Sequence, residues 1–112
     1  MSDAPAEARL HALRAEAEAE LRAAGERIDA MTAARADANA DDEHDPEGAT
    51  IGFEWSQADA LRTGLRQRLA AVDAALGRIA DGTYGVCAVC GERIAAARLE
   101  ARPTTDRCIR HA

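Results

Sequence analysis

The sequence predicts a mostly α fold, in which an antiparallel two-helix coiled-coil hairpin (residues 1–80) precedes a small C-terminal domain (residues 81–112). Three observations predict it: two apolar stripes of matching spacing, an acidic segment between them, and clustered cysteines near the C-terminus. Aromatic residues make up only 3% of the 112-residue chain, and alanine dominates its apolar class, so a thick globular core is not expected. Burial must come from close helix contacts.

Each predicted hairpin helix carries one apolar stripe. The first comprises Leu10, Leu13, Ala17, Leu21, Ala24, Ile28 and Met31, and the second comprises Ala58, Leu61, Leu65, Leu69, Val72, Leu76 and Ile79. Both follow the same order of three- and four-residue steps, an average of about 3.5 residues per turn that is typical of a two-stranded seam. A short connection favours an antiparallel hairpin, with Met31 near Ala58 and Leu10 near Ile79.

The ends of the second helix carry recognisable signals. Asp45 can cap a helix that starts at Pro46, although Thr50 and Ser56 offer alternative starts. At the other end, Gly82 can adopt the left-handed conformation that stops a helix.

The predicted tip of the hairpin, at about residues 37–50, is acidic. Eight acidic residues and no arginine or lysine lie between Arg35 and Arg62, which disfavours a DNA-binding surface because phosphates would be repelled. A calcium-binding EF-hand is not expected, since Asp42 stands where that loop needs glycine and Gly48 where it needs glutamate. The acids are then either a solvated loop or a charged end that reaches a partner.

Three large apolar residues follow the acidic tip. Ile51 and Trp55 continue the second stripe and are expected to be buried. Phe53 falls off the stripe, so it either covers the turn or faces a partner.

The C-terminal domain contains the pattern C-x2-C-x17-C-x2-H, formed by Cys87, Cys90, Cys108 and His111. Thiolates and imidazole at this spacing are typical of a tetrahedral structural zinc site, and a closed set of four ligands leaves no position for substrate. Gly85 and Gly91 flank the first pair, and residues 92–102 are expected to form a short helix or turn that ends before Pro103. The sequence therefore predicts a zinc finger that binds one structural Zn²⁺.

Two alternatives compete with the zinc finger. A thioredoxin-like redox pair at Cys87 and Cys90 lacks the strand-helix-strand context of that fold. A finger that folds without metal, with His111 as an ordinary residue next to the end of the given sequence, is the stronger rival.

The segment DGTYGVCAVCGERIAAARLEARPTTDRCIRH, residues 81–111, closely resembles the C-terminal zinc finger of the DksA/TraR family. The layout of hairpin, acidic tip and finger agrees over nearly the whole chain. Two features depart from the family: His111 stands where a cysteine is usual, and the tip DDEHDPEGATIGFE lacks the D-x-x-D-x-A motif known in the family.

The resemblance implies a regulator of transcription that binds RNA polymerase rather than DNA. In this family the hairpin enters the secondary channel of the polymerase and its acidic tip approaches the catalytic centre, often together with the alarmone ppGpp. The residues of the tip to which that role would fall are Asp41, Asp42, Glu43 and Asp45.

Three other classes of function compete with this interpretation. A zinc ribbon that contacts nucleic acid needs a basic patch, yet residues 81–112 hold only five arginines against four acids. A dimerising coiled coil would pair its seam between chains. An enzyme is not expected, because no nucleophile–base pair or open metal position is visible. Neither a secretory signal nor a membrane span is apparent, so a cytoplasmic protein is expected.

Overall fold

The computed structural model describes residues 2–39 and 46–112, with side chains described for residues 2–37 and 52–112. Helix α1 spans Ala4–Asn39, α2 spans Pro46–Asp81 and α3 spans Ala96–Ala101, and a 3-10 turn follows at Ile109–His111. The mostly helical fold, with two long helices as a hairpin before a C-terminal cysteine cluster, confirms the predicted class. Each hairpin helix has 36 residues, which exceeds the length covered by its apolar stripe.

Contacts divide the chain into two compact units, one comprising Met1–Glu16 and Arg68–Ala112, the other Ala17–Gln67. In the first unit, Leu10 packs with Val72, Ala75 and Tyr84, and Ile79 packs against this cluster as predicted. Among the residues of the second unit whose side chains are described, the buried apolar ones are Ala17, Ala24, Ile28, Ala58 and Leu65. The predicted domain boundary at residue 80 stays a prediction.

Two residues of the second stripe are exposed, contrary to expectation. Leu61 is 49% exposed and Trp55 is 38% exposed. Leu61 lines an open groove of about 460 Å³ together with Arg27, Met31, Glu54, Gln57 and Ala58. This open groove leaves Leu61 uncovered. Met31 and Ala58, which were predicted to lie near each other, both line the groove.

The buried face of α2 is also wider than a single seam. Ala75 is fully buried although the stripe omits it, because it lies three residues after Val72 and beside Leu76 on the same helical face.

The structure selects one of the three possible starts of α2 and agrees with its predicted end. The helix begins at Pro46 and ends at Asp81. Gly82 then takes φ of 77°, a left-handed conformation that favours glycine, and the Thr83 N–H donates to the Arg78 carbonyl over 2.9 Å. This turn directs the chain into the finger.

The acidic tip residues Asp41, Asp42, Glu43 and Asp45 lie outside the described residues, and so does the side chain of Ile51. Part of the segment that was compared with an EF-hand, including His44, also lies outside them. Phe53 is described and is 65% exposed. Within the described residues, no helix is both long and apolar enough to cross a membrane.

A pair of leucine substitutions tests the packing in the helices. Leu10→Ala removes a side chain with no exposed surface, so it should lower the free energy of unfolding by about 2–5 kcal/mol. Leu61→Ala, at a half-exposed site, should lower it by less than about 1 kcal/mol. Urea denaturation followed by circular dichroism measures both. Equal losses for the two variants would contradict the assigned burial.

Candidate metal centre

The first pair of cysteines lies on a tight loop closed by backbone hydrogen bonds. The Cys87 N–H donates to the Glu92 carbonyl over 2.8 Å, and the Gly91 N–H donates to the Cys87 carbonyl over 2.9 Å. Gly85 and Gly91 take φ of 81° and 72°, so the left-handed positions that the loop needs are filled by glycine. The loop therefore presents both thiols on one side.

The second pair of ligating groups lies on the 3-10 turn Ile109–His111. The His111 N–H donates to the Cys108 carbonyl over 3.0 Å, which brings the imidazole back over the thiol. The Ala88 N–H donates to the Asp106 carbonyl over 2.8 Å and joins the two loops. Cys90 and Cys108, which have 17 residues between them in the sequence, thus face one another.

The structure brings all four predicted site residues together. The ligand atoms of Cys87, Cys90, Cys108 and His111 lie within 4.8 Å of one another, which positions them to bind one metal ion. The Cys90 and Cys108 sulfurs are 3.8 Å apart, and the His111 Nδ1 lies 3.8 Å from the Cys87 sulfur and 3.1 Å from the Cys108 sulfur.

The separation of the Cys90 and Cys108 sulfurs fits zinc. Two Zn–S bonds of about 2.3 Å at a tetrahedral angle place their sulfurs about 3.8 Å apart. Three sulfurs and one imidazole nitrogen also match the softness of this ion. Zn²⁺ is accordingly the cofactor of the finger, with a structural role because the four groups close its coordination shell.

Burial and local hydrogen bonds shift the pKa values of the ligating groups. Cys87 and Cys108 are 2% and 8% exposed, and both pack with Ile94. Backbone hydrogen bonds from Cys108 and Cys90 lower the pKa of the Cys87 thiol to about 5. The pKa of His111 is raised, chiefly by its hydrogen bond with Cys108 and then by that with Cys87. At neutral pH, Cys87 is therefore already in the thiolate form that binds metal.

Several polar contacts within the same unit hold the finger against the helices. The Tyr84 hydroxyl donates to the Pro103 carbonyl over 2.8 Å, and burial raises the pKa of this phenol, so it stays protonated. The Arg78 guanidinium donates to the Thr104 carbonyl over 3.0 Å. Arg9 of α1 donates to the carbonyl of Glu100 on α3. The finger is thus bound to both long helices.

The sequence analysis missed the structural roles of Arg9, Arg78 and Tyr84. Tyr84 was detectable in principle, because an aromatic residue three positions before the first cysteine of a small finger is a candidate for its scarce core. The two arginines gave no such signal, since their partners are backbone carbonyls distant in sequence.

The fold and site define a class of protein: a helical hairpin that carries a C-terminal structural zinc finger. A family model described as the prokaryotic dksA/traR C4-type zinc finger matches residues 82–110. The match stops one residue before His111, the position at which this chain departs from a set of four cysteines.

Relatives agree with this class. The RNA polymerase-binding transcription factor DksA of Caulobacter vibrioides is 53% identical over 53 residues, which are 46% of this chain and 37% of that protein. The protein of the same name from Haemophilus influenzae is 39% identical over 61 residues, which are 54% of this chain and 42% of that protein. The matched segment thus spans about two fifths of these relatives.

A solved structure extends the similarity to the helices. The structure of transcription factor DksA2 from Pseudomonas aeruginosa matches with a TM-score of 0.57 and 26% identity, over 92% of this chain and 79% of that chain. Together, these comparisons show that the finger is similar to that of the DksA/TraR family and that the whole described fold is similar to that of transcription factor DksA2.

His111→Ala tests the fourth ligand. Structural zinc sites contribute about 10–16 kcal/mol over four ligands, so loss of one should weaken zinc binding by on the order of 100-fold or more. Competition with a chromogenic chelator measures the affinity. His111→Cys is the matched control and should retain tight binding, because thiolate suits zinc equally well. An unchanged affinity in His111→Ala would remove His111 from the site.

Acidification tests the lowered pKa of Cys87. A thiol with a depressed pKa binds protons less readily and so competes less with zinc, so zinc should be retained from about pH 8 to pH 6 and released only at lower pH. Zinc in the filtrate after equilibration at each pH measures the release. Half-release above about pH 7 would contradict the assignment.

Proposed function

We propose that this protein regulates transcription by binding RNA polymerase, with the zinc finger as a structural base and the acidic tip as the acting end. The observation that carries the proposal is the match of the finger, at residues 82–110, in a chain whose helical hairpin also matches the fold of transcription factor DksA2. Curated relatives named RNA polymerase-binding transcription factors support the same partner.

In this proposal, Cys87, Cys90, Cys108 and His111 hold Zn²⁺ and thereby fix the finger. Asp41, Asp42, Glu43 and Asp45 act within the secondary channel of the polymerase, where carboxylates can interact with arginines, lysines or a bound magnesium ion. The protein acts by binding rather than by catalysis, and it works in the cytoplasm with its partner. The alarmone ppGpp is a candidate co-effector.

The contacts of the finger arginines favour this function over direct binding of nucleic acid. The Arg98 Nε donates to the Arg107 carbonyl over 2.8 Å, and Arg110 pairs with Glu92. With Arg78 also bonded to a backbone carbonyl, these cations serve the internal structure of their unit. Arg110 is neutralised by Glu92, and five arginines against four acids in residues 81–112 leave little of the excess positive charge that phosphate recognition needs.

The burial of the seam residues disfavours dimerisation through the coiled coil. Leu10, Leu65 and Val72 are at most 2% exposed within a single chain. A dimer that paired the same seam between chains would first have to separate these contacts. Pairing of the seam would therefore compete with the intramolecular hairpin rather than add to it.

The polymerase hypothesis is tested with the intact chain, RNA polymerase core enzyme and a variant in which Asp41, Asp42, Glu43 and Asp45 are all alanine. We expect the variant to bind the polymerase but to lose its effect on transcription in vitro, because the tip acts after docking. A charge-matched control replaces four exposed acids of the long helices, Glu16, Glu26, Asp29 and Asp81, with alanine.

This control variant should bind the polymerase and affect transcription as the intact chain does. Addition of ppGpp to each reaction tests whether this nucleotide changes the effect. No binding of the intact chain, or equal loss of activity in both quadruple variants, would contradict the proposal.

A further inference from the structure

A cleft of about 400 Å³ lies within the unit that contains the finger, away from the metal-binding side chains. The start of α1 forms one wall, and the turn before the first cysteine pair together with α3 forms the other. Its lining residues are Ser2, Asp3, Pro5, Ala6, Arg9, Tyr84, Gly85, Arg93, Ile94, Ala96, Leu99, Glu100 and Pro103. This volume falls within the range of small-molecule sites in proteins, about 300–1,000 Å³.

The floor of the cleft is apolar and firmly held. Tyr84 and Ile94 are 6% and 5% exposed, and Leu99 packs against the core clusters that contain them. The Tyr84 hydroxyl is already bonded to the Pro103 carbonyl, so this residue offers its ring rather than a polar group. An apolar or aromatic body of moderate size would bury its surface here.

The rim of the cleft carries both signs of charge. Arg9 and Arg93 supply guanidinium groups, and Asp3 and Glu100 supply carboxylates. Arg9 is held by its bond to the Glu100 carbonyl, and the backbone of Arg93 is fixed by a bridge to Val86. Among the described residues, no side chain pairs with the Arg93 guanidinium. The charges of the lining side chains sum to zero. A ligand with a single charge therefore has no electrostatic advantage over a ligand that carries both a positive and a negative charge.

We propose that this cleft binds a small zwitterion with an apolar body, that is, an apolar α-amino acid. The side chain of such a ligand would lie on the floor formed by Tyr84, Ile94 and Leu99. Its carboxylate would meet Arg93 and its ammonium group a rim carboxylate. The proposal does not depend on the proposed action on RNA polymerase, and its test uses no polymerase.

The test titrates the zinc-loaded full chain with L-phenylalanine and follows backbone amides by ¹⁵N–¹H NMR. We expect saturable shifts concentrated at cleft residues such as Ala6, Gly85 and Leu99. L-alanine, which has the same charges but little apolar body, should give no saturable shift over the same concentrations. Shifts that do not saturate, or that centre on the helices of residues 17–67, would overturn the proposal.

Analogues and variants then separate the two charged contacts. N-acetyl-L-phenylalanine lacks the ammonium charge and L-phenylalaninamide lacks the carboxylate, and each should bind about two- to fivefold more weakly than L-phenylalanine, as expected for exposed ion pairs. Arg93→Gln should weaken the binding of L-phenylalanine by a similar factor and should not weaken the binding of L-phenylalaninamide. Arg107→Gln, an exposed arginine of the same unit outside the cleft, is the matched control and should change neither.

Equal affinity of all three compounds would overturn the proposal, because recognition would then be apolar only. An equal effect of Arg93→Gln on L-phenylalanine and its amide would also overturn it, since the contact with the carboxylate would be absent.

Discussion

Coordination of one Zn²⁺ by groups from two loops is the interaction on which the C-terminal part of this molecule depends. The buried cluster around the site comprises only Cys87, Ile94 and Cys108, with Leu99 packed against it. An apolar core of this size contributes too little to offset the conformational entropy of the ordered loops. Metal binding supplies the difference, as it does in small zinc domains whose folding and metal binding are one process.

The finger also contributes to the hydrophobic core between α1 and α2. Tyr84 belongs to the same buried cluster as Leu10 and Val72, so a residue at the entrance to the finger fills the core between α1 and α2. Arg9 and Arg78 add bonds from the two long helices to carbonyls of the finger. A loss of zinc would therefore loosen the ends of both helices as well as the finger, because these contacts need the finger backbone in place.

Much of this arrangement follows from sequence because its determinants are local and periodic. The repeated steps of three and four residues predict the helices, Gly82 marks the end of α2, Pro46 is one of three possible starts, and the two spaced pairs of ligands predict the metal site. Periodicity does not predict how wide the buried face is. Ala75 is buried and Leu61 is half exposed, because burial depends on how closely the opposing helix approaches each position, which the spacing does not specify. The bonds of Arg9 and Arg78 to distant carbonyls likewise depend on the folded backbone.

Amide hydrogen exchange with and without zinc shows whether the metal holds the finger together. We expect removal of zinc under reducing conditions to abolish protection at Cys87, Ala88, Gly91 and Ile94, whose N–H groups bond to carbonyls of the unit that contains the finger. We also expect weaker protection at the start of α1 and the end of α2, with amides near Ala24 and Leu65 retaining theirs. Unchanged protection throughout residues 82–111 after verified loss of zinc would contradict the claim that the metal holds the finger together.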